Sequence, residues 1–207
     1  MRRSSTAGKT HARPSGVGAP AAVLLAAVAI CCCFAAIPHA EAQAFQPATM
    51  VDAIDAALFL TQFKQALSSA GLLSTLASPD FNGTVFAPTD LGFTSFLTTQ
   101  NTTLAALAAN NATLFNTMAF HIVPSMKYFP TGTLRQGVKM ATQAGPELTV
   151  DRSVPGLIHI YGGDMVNDPT NFGTILQYQE IRGGKAVLYV IDKPLLPPAP
   201  KVVSTGK

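Results

Sequence analysis

The side chains best suited to chemistry in this 207-residue chain are few and scattered. Beyond residue 43 there are two histidines, His121 and His159, far apart in sequence. Neither sits in H-x-H or H-E-x-x-H, the spacings that bring imidazoles together around zinc. The only cysteines, Cys31, Cys32 and Cys33, lie within the apolar run Ala21–Ala36. Once that run is removed, disulfides, thiolate metal ligands and cysteine nucleophiles disappear together. No G-x-S-x-G elbow, Walker loop or dinucleotide fingerprint occurs. Asp164, Asn167 and Asp168 offer oxygen ligands, but their spacing is not that of an EF-hand loop and no glutamate follows at position twelve. A solvated turn is the better reading of that cluster. The expectation is a chain with no catalytic residue, no metal and no cofactor.

Two polar groups remain to be placed. Thr89 and Asp90 follow a proline and precede an apolar periodic run, the order of a helix N-cap with an acid in its first turn. His121 stands between Phe120 and Ile122. That setting suits a core histidine whose ring nitrogens hold backbone groups, with direct contact to a partner as the rival reading. His159 alternates with Ile158 and Ile160, so it faces the other side of its strand, half-exposed.

The elements that must carry these residues follow from periodicity. Val51, Ile54, Leu58, Leu60, Phe63 and Leu67 predict a helix over 50–70, stopped by Gly71. Leu72–Leu76 predicts a short helix, and Thr84–Ala87 a short strand broken by Pro88. Phe93, Phe96 and Leu97 pin the helix after Thr89, and the run from Leu104 to Met118 predicts further helices interrupted at Asn110-Asn111. From residue 119 the period shifts towards two. Ala119–Val123, Glu147–Val150 and Leu157–Tyr161 read as strands, and Ala186–Ile191 as a strand buried on both faces. Helices first and strands later, without strict alternation, predict an α+β fold of one domain.

Charge and targeting divide the chain in two. Four of the 14 Lys+Arg lie in the first 13 residues and one of the 11 acids precedes residue 43. From Gln43 onward ten bases therefore face ten acids, which gives no electrostatic reason to bind nucleic acid. A basic flank, the apolar run and the overlapping A-x-A sites Ala40–Ala42 and Ala42–Ala44 describe a signal peptide over 1–42, cleaved after 42 or 44. A membrane anchor fits less well, because a spanning helix needs about 20 apolar residues and this run meets Pro38. An Arg/Ser-rich, acid-poor start also leaves a plastid-lumen address as the alternative. Three sequons, at Asn82, Asn101 and Asn111, predict N-glycosylation and favour secretion. The C-terminus lacks the apolar tail of a GPI signal, so the processed form is expected not to span or be anchored in a membrane.

Three segments carry a family resemblance. Thr84-Val85-Phe86-Ala87-Pro88-Thr89-Asp90-Leu91-Gly92-Phe93 resembles the first box of fasciclin (FAS1) domains. Phe120-His121-Ile122-Val123-Pro124 resembles the second, and Val187 through Pro197 the closing strand. The resemblance covers 45–198 and leaves 199–207 as a short tail with a proline. It implies a β-wedge packed on a cluster of short helices. It further implies a non-catalytic, monomeric adhesion module that binds matrix or cell-surface proteins or polysaccharides, with a small-molecule binder or enzyme in a plastid lumen as the alternative. Thr89, Asp90, Phe120 and His121 are the adhesion candidates that the resemblance marks. The sequence departs from the pattern at four places. Phe120 replaces a usual Tyr, Ser125 a usual Gly, Gly92 a usual Ala and Tyr189 a common His. Gly92 is expected to weaken its helix by about 1 kcal/mol. The segment 162–185 is longer than usual, and Asn167–Asn171 reads as an added loop.

Overall fold

The computed structural model describes residues 46–124, 132–163 and 168–198. The expected leader and its cleavage sites, Ser125, Asp164, Asn167 and the tail from 199 lie outside these residues.

Helix α1 (Met50–Ala56) begins at a capping box. The Thr49 hydroxyl accepts from the Asp52 amide, and the Asp52 carboxylate accepts from the Thr49 amide. The predicted helix over 50–70 does not run through. It ends at Ala56, and α2 (Thr61–Ser69) starts afresh. Leu58, assigned to the core by its spacing, is 85% exposed, whereas Leu60 is fully buried. The break arises from a distant partner, described with the candidate site below.

Gly71 closes α2 as expected. With φ at +72°, it lets the Leu72 amide donate to Leu67 O and its own amide donate to Ser68 O, a Schellman cap. Helix α3 (Leu73–Leu76) follows, then strand β1 (Gly83–Pro88) and α4 (Asp90–Thr99). After it come α5 (Leu104–Ala109) and α6 (Asn111–Phe120), separated at Asn110, whose side chain accepts from the Thr113 amide.

The remaining strands are β2 (Ile122–Pro124), β3 (Lys139–Ala141), β4 (Glu147–Asp151), β5 (His159–Gly162), β6 (Phe172–Ile181) and β7 (Ala186–Ile191). They form a seven-stranded sheet in the order β2-β1-β7-β6-β5-β4-β3. Among the described residues, β1 and β7 pair in parallel and the other pairs are antiparallel.

One expectation needs correction. Ala119 and Phe120 belong to helix α6, and His121 is its C-cap, so the strand begins only at Ile122. Apolar runs of this length do not distinguish a buried helix end from a strand. The long segment 162–185 contains a strand that its periodicity does not mark, while 168–171 stays outside the strands. β6 is its ten-residue core and the hinge of the sheet, pairing with β5 through Phe172–Thr174 and with β7 from Ile175 onward. Its outer half, Leu176–Glu180, is exposed, and the short alternation Leu176-Gln177-Tyr178-Gln179 lies there outside both apolar clusters.

The sheet curls back on itself, because the Gln143 amide beyond β3 donates to Ile122 O of β2 at 2.8 Å. Phe86, Val187, Tyr189 and Ile191 face one apolar cluster inside the curl. Val85, Ala87, Leu188 and Val190 face a second cluster under the helices. Both β1 and β7 are thus buried on both faces, which is why Ala186–Ile191 reads as a continuous apolar run. The fold is α+β: a mixed sheet with short helices.

Candidate functional site

Thr89 and Asp90 lie at the junction of β1 and α4. The Thr89 hydroxyl accepts from the Gly92 amide at 3.2 Å, the N-cap bond that the sequence predicts. Its amide donates to Ile191 O at 3.0 Å, tying the helix start to the end of β7.

Asp90 works at a distance. Its carboxylate accepts from the Gln62 amide at 2.7 Å and from the Thr61 hydroxyl at 2.6 Å. Helix α2 has Leu60 at its N-cap and no side-chain cap of its own, so Asp90 caps it from across the chain. The Asp90 amide also donates to Phe59 O at 2.8 Å, and Gln62 Nε2 donates to Thr94 Oγ1 at 2.8 Å. These bonds hold α2 as a separate helix and fix the Ala57–Leu60 connection against α4. The exposed apolar side chains of this junction are Leu58, Phe59 and Leu91, at 85%, 42% and 78% exposure. Sequence reasoning placed Leu58 in the core and passed over Leu91; the missing signal was the cap that Asp90 supplies to α2.

Asp90→Ala is expected to cost about 1–2 kcal/mol, the loss of a helix cap. Asp90→Asn should recover part of it, because the amide oxygen can still accept from Gln62. Urea midpoints of the two variants check this, and equal midpoints for Asp90→Ala and the parent protein would remove Asp90 from α2.

Gly92 reverses its expected role. A Cβ there would lie 1.8 Å from Asp192 O and 2.9 Å from Lys193 Cα, so the residue is required by the close passage of the chain after β7. An alanine fits the helix but not the neighbour.

Phe120 and His121 are fully buried. Phe120 joins the cluster inside the curled sheet, where a phenol in its place would have to find a buried partner. His121 Nδ1 donates to Thr117 O at 2.7 Å, and Nε2 accepts from the Leu195 amide at 3.0 Å. That arrangement is satisfied only by the neutral ring carrying its proton on Nδ1. Burial pushes the imidazole pKa from 6.5 down to about 4, against a smaller upward pull from the Thr117 carbonyl. The ring also packs against Phe63 of α2, with centroids 6.0 Å apart. His121 therefore joins α6, the chain after β7 and α2. It exposes no surface for a partner.

Tyr189, where the family often has His, stacks on Phe86 at 5.5 Å inside the sheet, and burial raises its hydroxyl pKa. Asp151 is buried as well. Its carboxylate is held below the usual range chiefly by the Gln136 amide, with the Ser153 amide and hydroxyl adding to this against burial. His159 is half-buried, with Nδ1 3.1 Å from the Thr174 hydroxyl and its ring edge-on to Phe172. Asp168 closes a turn by accepting from Thr170. Asn82, Asn101 and Asn111 are all exposed. Among the described residues, no cluster of three His, Cys, Asp or Glu side chains is placed to hold a metal, and no helix is long and apolar enough to cross a membrane.

The family model of the fasciclin domain matches residues 59–197. No curated protein matches the chain. Among solved structures, the fold is similar to a FAS1 domain pair from the insect cell adhesion molecule fasciclin I, with a TM-score of 0.57 and 14% sequence identity. That likeness covers 73% of this chain and 51% of the other, so the chain spans about half the length of that structure. Fasciclin domains are in general non-enzymatic adhesion modules, typically extracellular or at the cell surface. By the family match across two thirds of its length, this chain belongs to the fasciclin domain family.

Proposed function

We propose that the processed chain is secreted and acts as a monomeric, non-catalytic adhesion module that engages matrix or cell-surface proteins or polysaccharides. The fasciclin-domain match over 59–197 carries this reading. The signal-peptide pattern of the first 44 residues and the exposed positions of Asn82, Asn101 and Asn111 support it. Within the reading, the family's box residues act as scaffold. Thr89 and Asp90 are spent on helix caps, and Phe120 and His121 are buried. Partner contact falls to the side chains that this scaffold presents, Leu58, Phe59 and Leu91.

The test is cell attachment to surfaces coated with the protein secreted by a eukaryotic host, whose N-terminus should be Gln43 or Phe45. Leu58→Asp combined with Leu91→Asp should abolish most attachment while leaving the thermal midpoint within a few degrees, since exposed substitutions cost within about 0.5 kcal/mol. Attachment that survives the double variant would move the contact surface elsewhere. A parent protein that supports no attachment would end the adhesion reading itself.

A further inference from the structure

On the side of α4 away from α2 lies a cleft of about 290 Å³. The second half of α4 forms one wall with Ser95, Phe96, Thr99 and Gln100. The turn entering β6 and the chain after β7 form the other. Phe96, Phe172, Pro194 and Leu196 make it apolar at the sides. Its polar groups include both ends of the hydrogen-bonding range: the Lys193 ammonium donates, the Asp168 carboxylate accepts, and the Gln100 amide does both.

The cleft is built rather than incidental. Asn171 Nδ2 donates to Gly162 O at 2.8 Å and to Leu196 O at 2.7 Å, while its Oδ1 accepts from the Leu196 amide at 3.0 Å. One side chain thus clamps the two segments that face α4. Lys193 Nζ lies 4.1 Å from the Phe172 ring centroid, and among the described residues it makes no ion pair. Gly92 lines the same cleft, where the chain after β7 runs against α4.

Apolar walls with a few convergent polar groups characterise small-ligand clefts, and this one sits at the small end of their range of roughly 300–1,000 Å³. A volume of this order suits one six-membered ring. The ligand should bear several hydroxyls that both donate and accept, and an apolar C–H face. With one cation and one carboxylate on the lining, no net charge is selected. We propose that this cleft binds a single neutral pyranose unit, at an end or branch of a polysaccharide. The inference deepens the adhesion reading and rests on it for its biological setting, but sugar binding can be measured without any assay of attachment.

Calorimetric titration of the secreted protein, after enzymatic removal of its own N-glycans, with methyl glucoside, methyl mannoside, methyl galactoside and sodium methyl galacturonoside tests this. At least one neutral glycoside should bind saturably, with a Kd in the millimolar range typical of a few hydrogen bonds. Lys193→Met and Gln100→Ala should each weaken it about threefold to tenfold, the loss of one directed hydrogen bond. Circular dichroism melts identify any variant that is misfolded, and Gln100→Ala, on an exposed helix end, decides the matter if Lys193→Met is. Absence of saturable binding for all four glycosides would overturn the proposal. So would unchanged affinity in the folded variants, or a preference for the uronate above tenfold. Failure here with attachment intact would remove the cleft and keep the adhesion module; sugar binding without attachment would do the reverse.

Discussion

Gly92→Ala is expected to destabilise the protein by about 3 kcal/mol or more, as overpacking against unyielding atoms does. Helix propensity alone gives the opposite sign, because alanine is better than glycine in a helix interior by about 1 kcal/mol. The atoms that a Cβ would meet decide the outcome. Asp192 O at 1.8 Å, Asp192 C at 2.7 Å and Lys193 Cα at 2.9 Å are all main chain and cannot rotate away. To make room, α4 and the end of β7 must part. That motion pulls on the Thr89 amide bond to Ile191 O and on the Thr89 hydroxyl bond to Asp192 O. A denaturant series on parent and variant measures the effect. A variant that is more stable than the parent would show that the helix and the chain after β7 do not lie in contact.

The second large effect concerns His121. His121→Ala removes a ring that satisfies two buried backbone groups, the Thr117 carbonyl and the Leu195 amide. Each orphaned group costs about 1–3 kcal/mol, and the cavity adds to it. Stability and any adhesion should fall together, as expected of a scaffold residue. The same histidine gives a pH signature with a definite sign. Its folded pKa, about 4, lies below the 6.5 of an exposed imidazole, so between these values the unfolded chain binds the extra proton. Stability is therefore full above pH 6.5 and drains away as pH falls towards 4, by up to about 3 kcal/mol. Below that the contribution of His121 is exhausted. Asp151 acts in the same direction, but its loss begins only near the ordinary carboxylate range and continues below it. Free energies of unfolding at pH 7 and pH 5 should differ by about 2 kcal/mol in the parent. The difference should shrink to a few tenths in His121→Gln, which keeps a donor and an acceptor but does not titrate. An equal pH dependence in both proteins would place the acid-sensitive group elsewhere.

Much of this molecule is decided within short stretches of sequence. Thr89 caps α4 because its hydroxyl reaches an amide three residues on, and Gly71 ends α2 because its backbone adopts a left-handed φ without strain. The α+β class, the doubly buried closing strand and the segments resembling the fasciclin boxes were legible for the same reason. They depend on local periodicity, caps and turn residues, whose physics acts over a few residues. The side chain of His121 is also read correctly from its apolar neighbours, although not the helix end on which it sits.

What only the tertiary structure decided involves pairs of residues far apart in the chain. The split of the predicted helix 50–70 depends on a carboxylate 28 residues away, since Asp90 caps Gln62, and no periodicity within 50–70 can report that partner. Gly92 changes from a weak point in a helix to an obligatory residue because the chain after β7 passes against it. In β6 the alternation Leu176-Gln177-Tyr178-Gln179 is short and lies on an exposed stretch, and pairing with β5 and β7 is what makes the segment a strand. The exposed leucines and the cleft beside α4 follow from those same long-range contacts. Local sequence sets which backbone conformations are cheap. Which of them are kept, and which side chains then reach solvent, depends on contacts that close over tens of residues, where loop entropy is offset only by the packed whole.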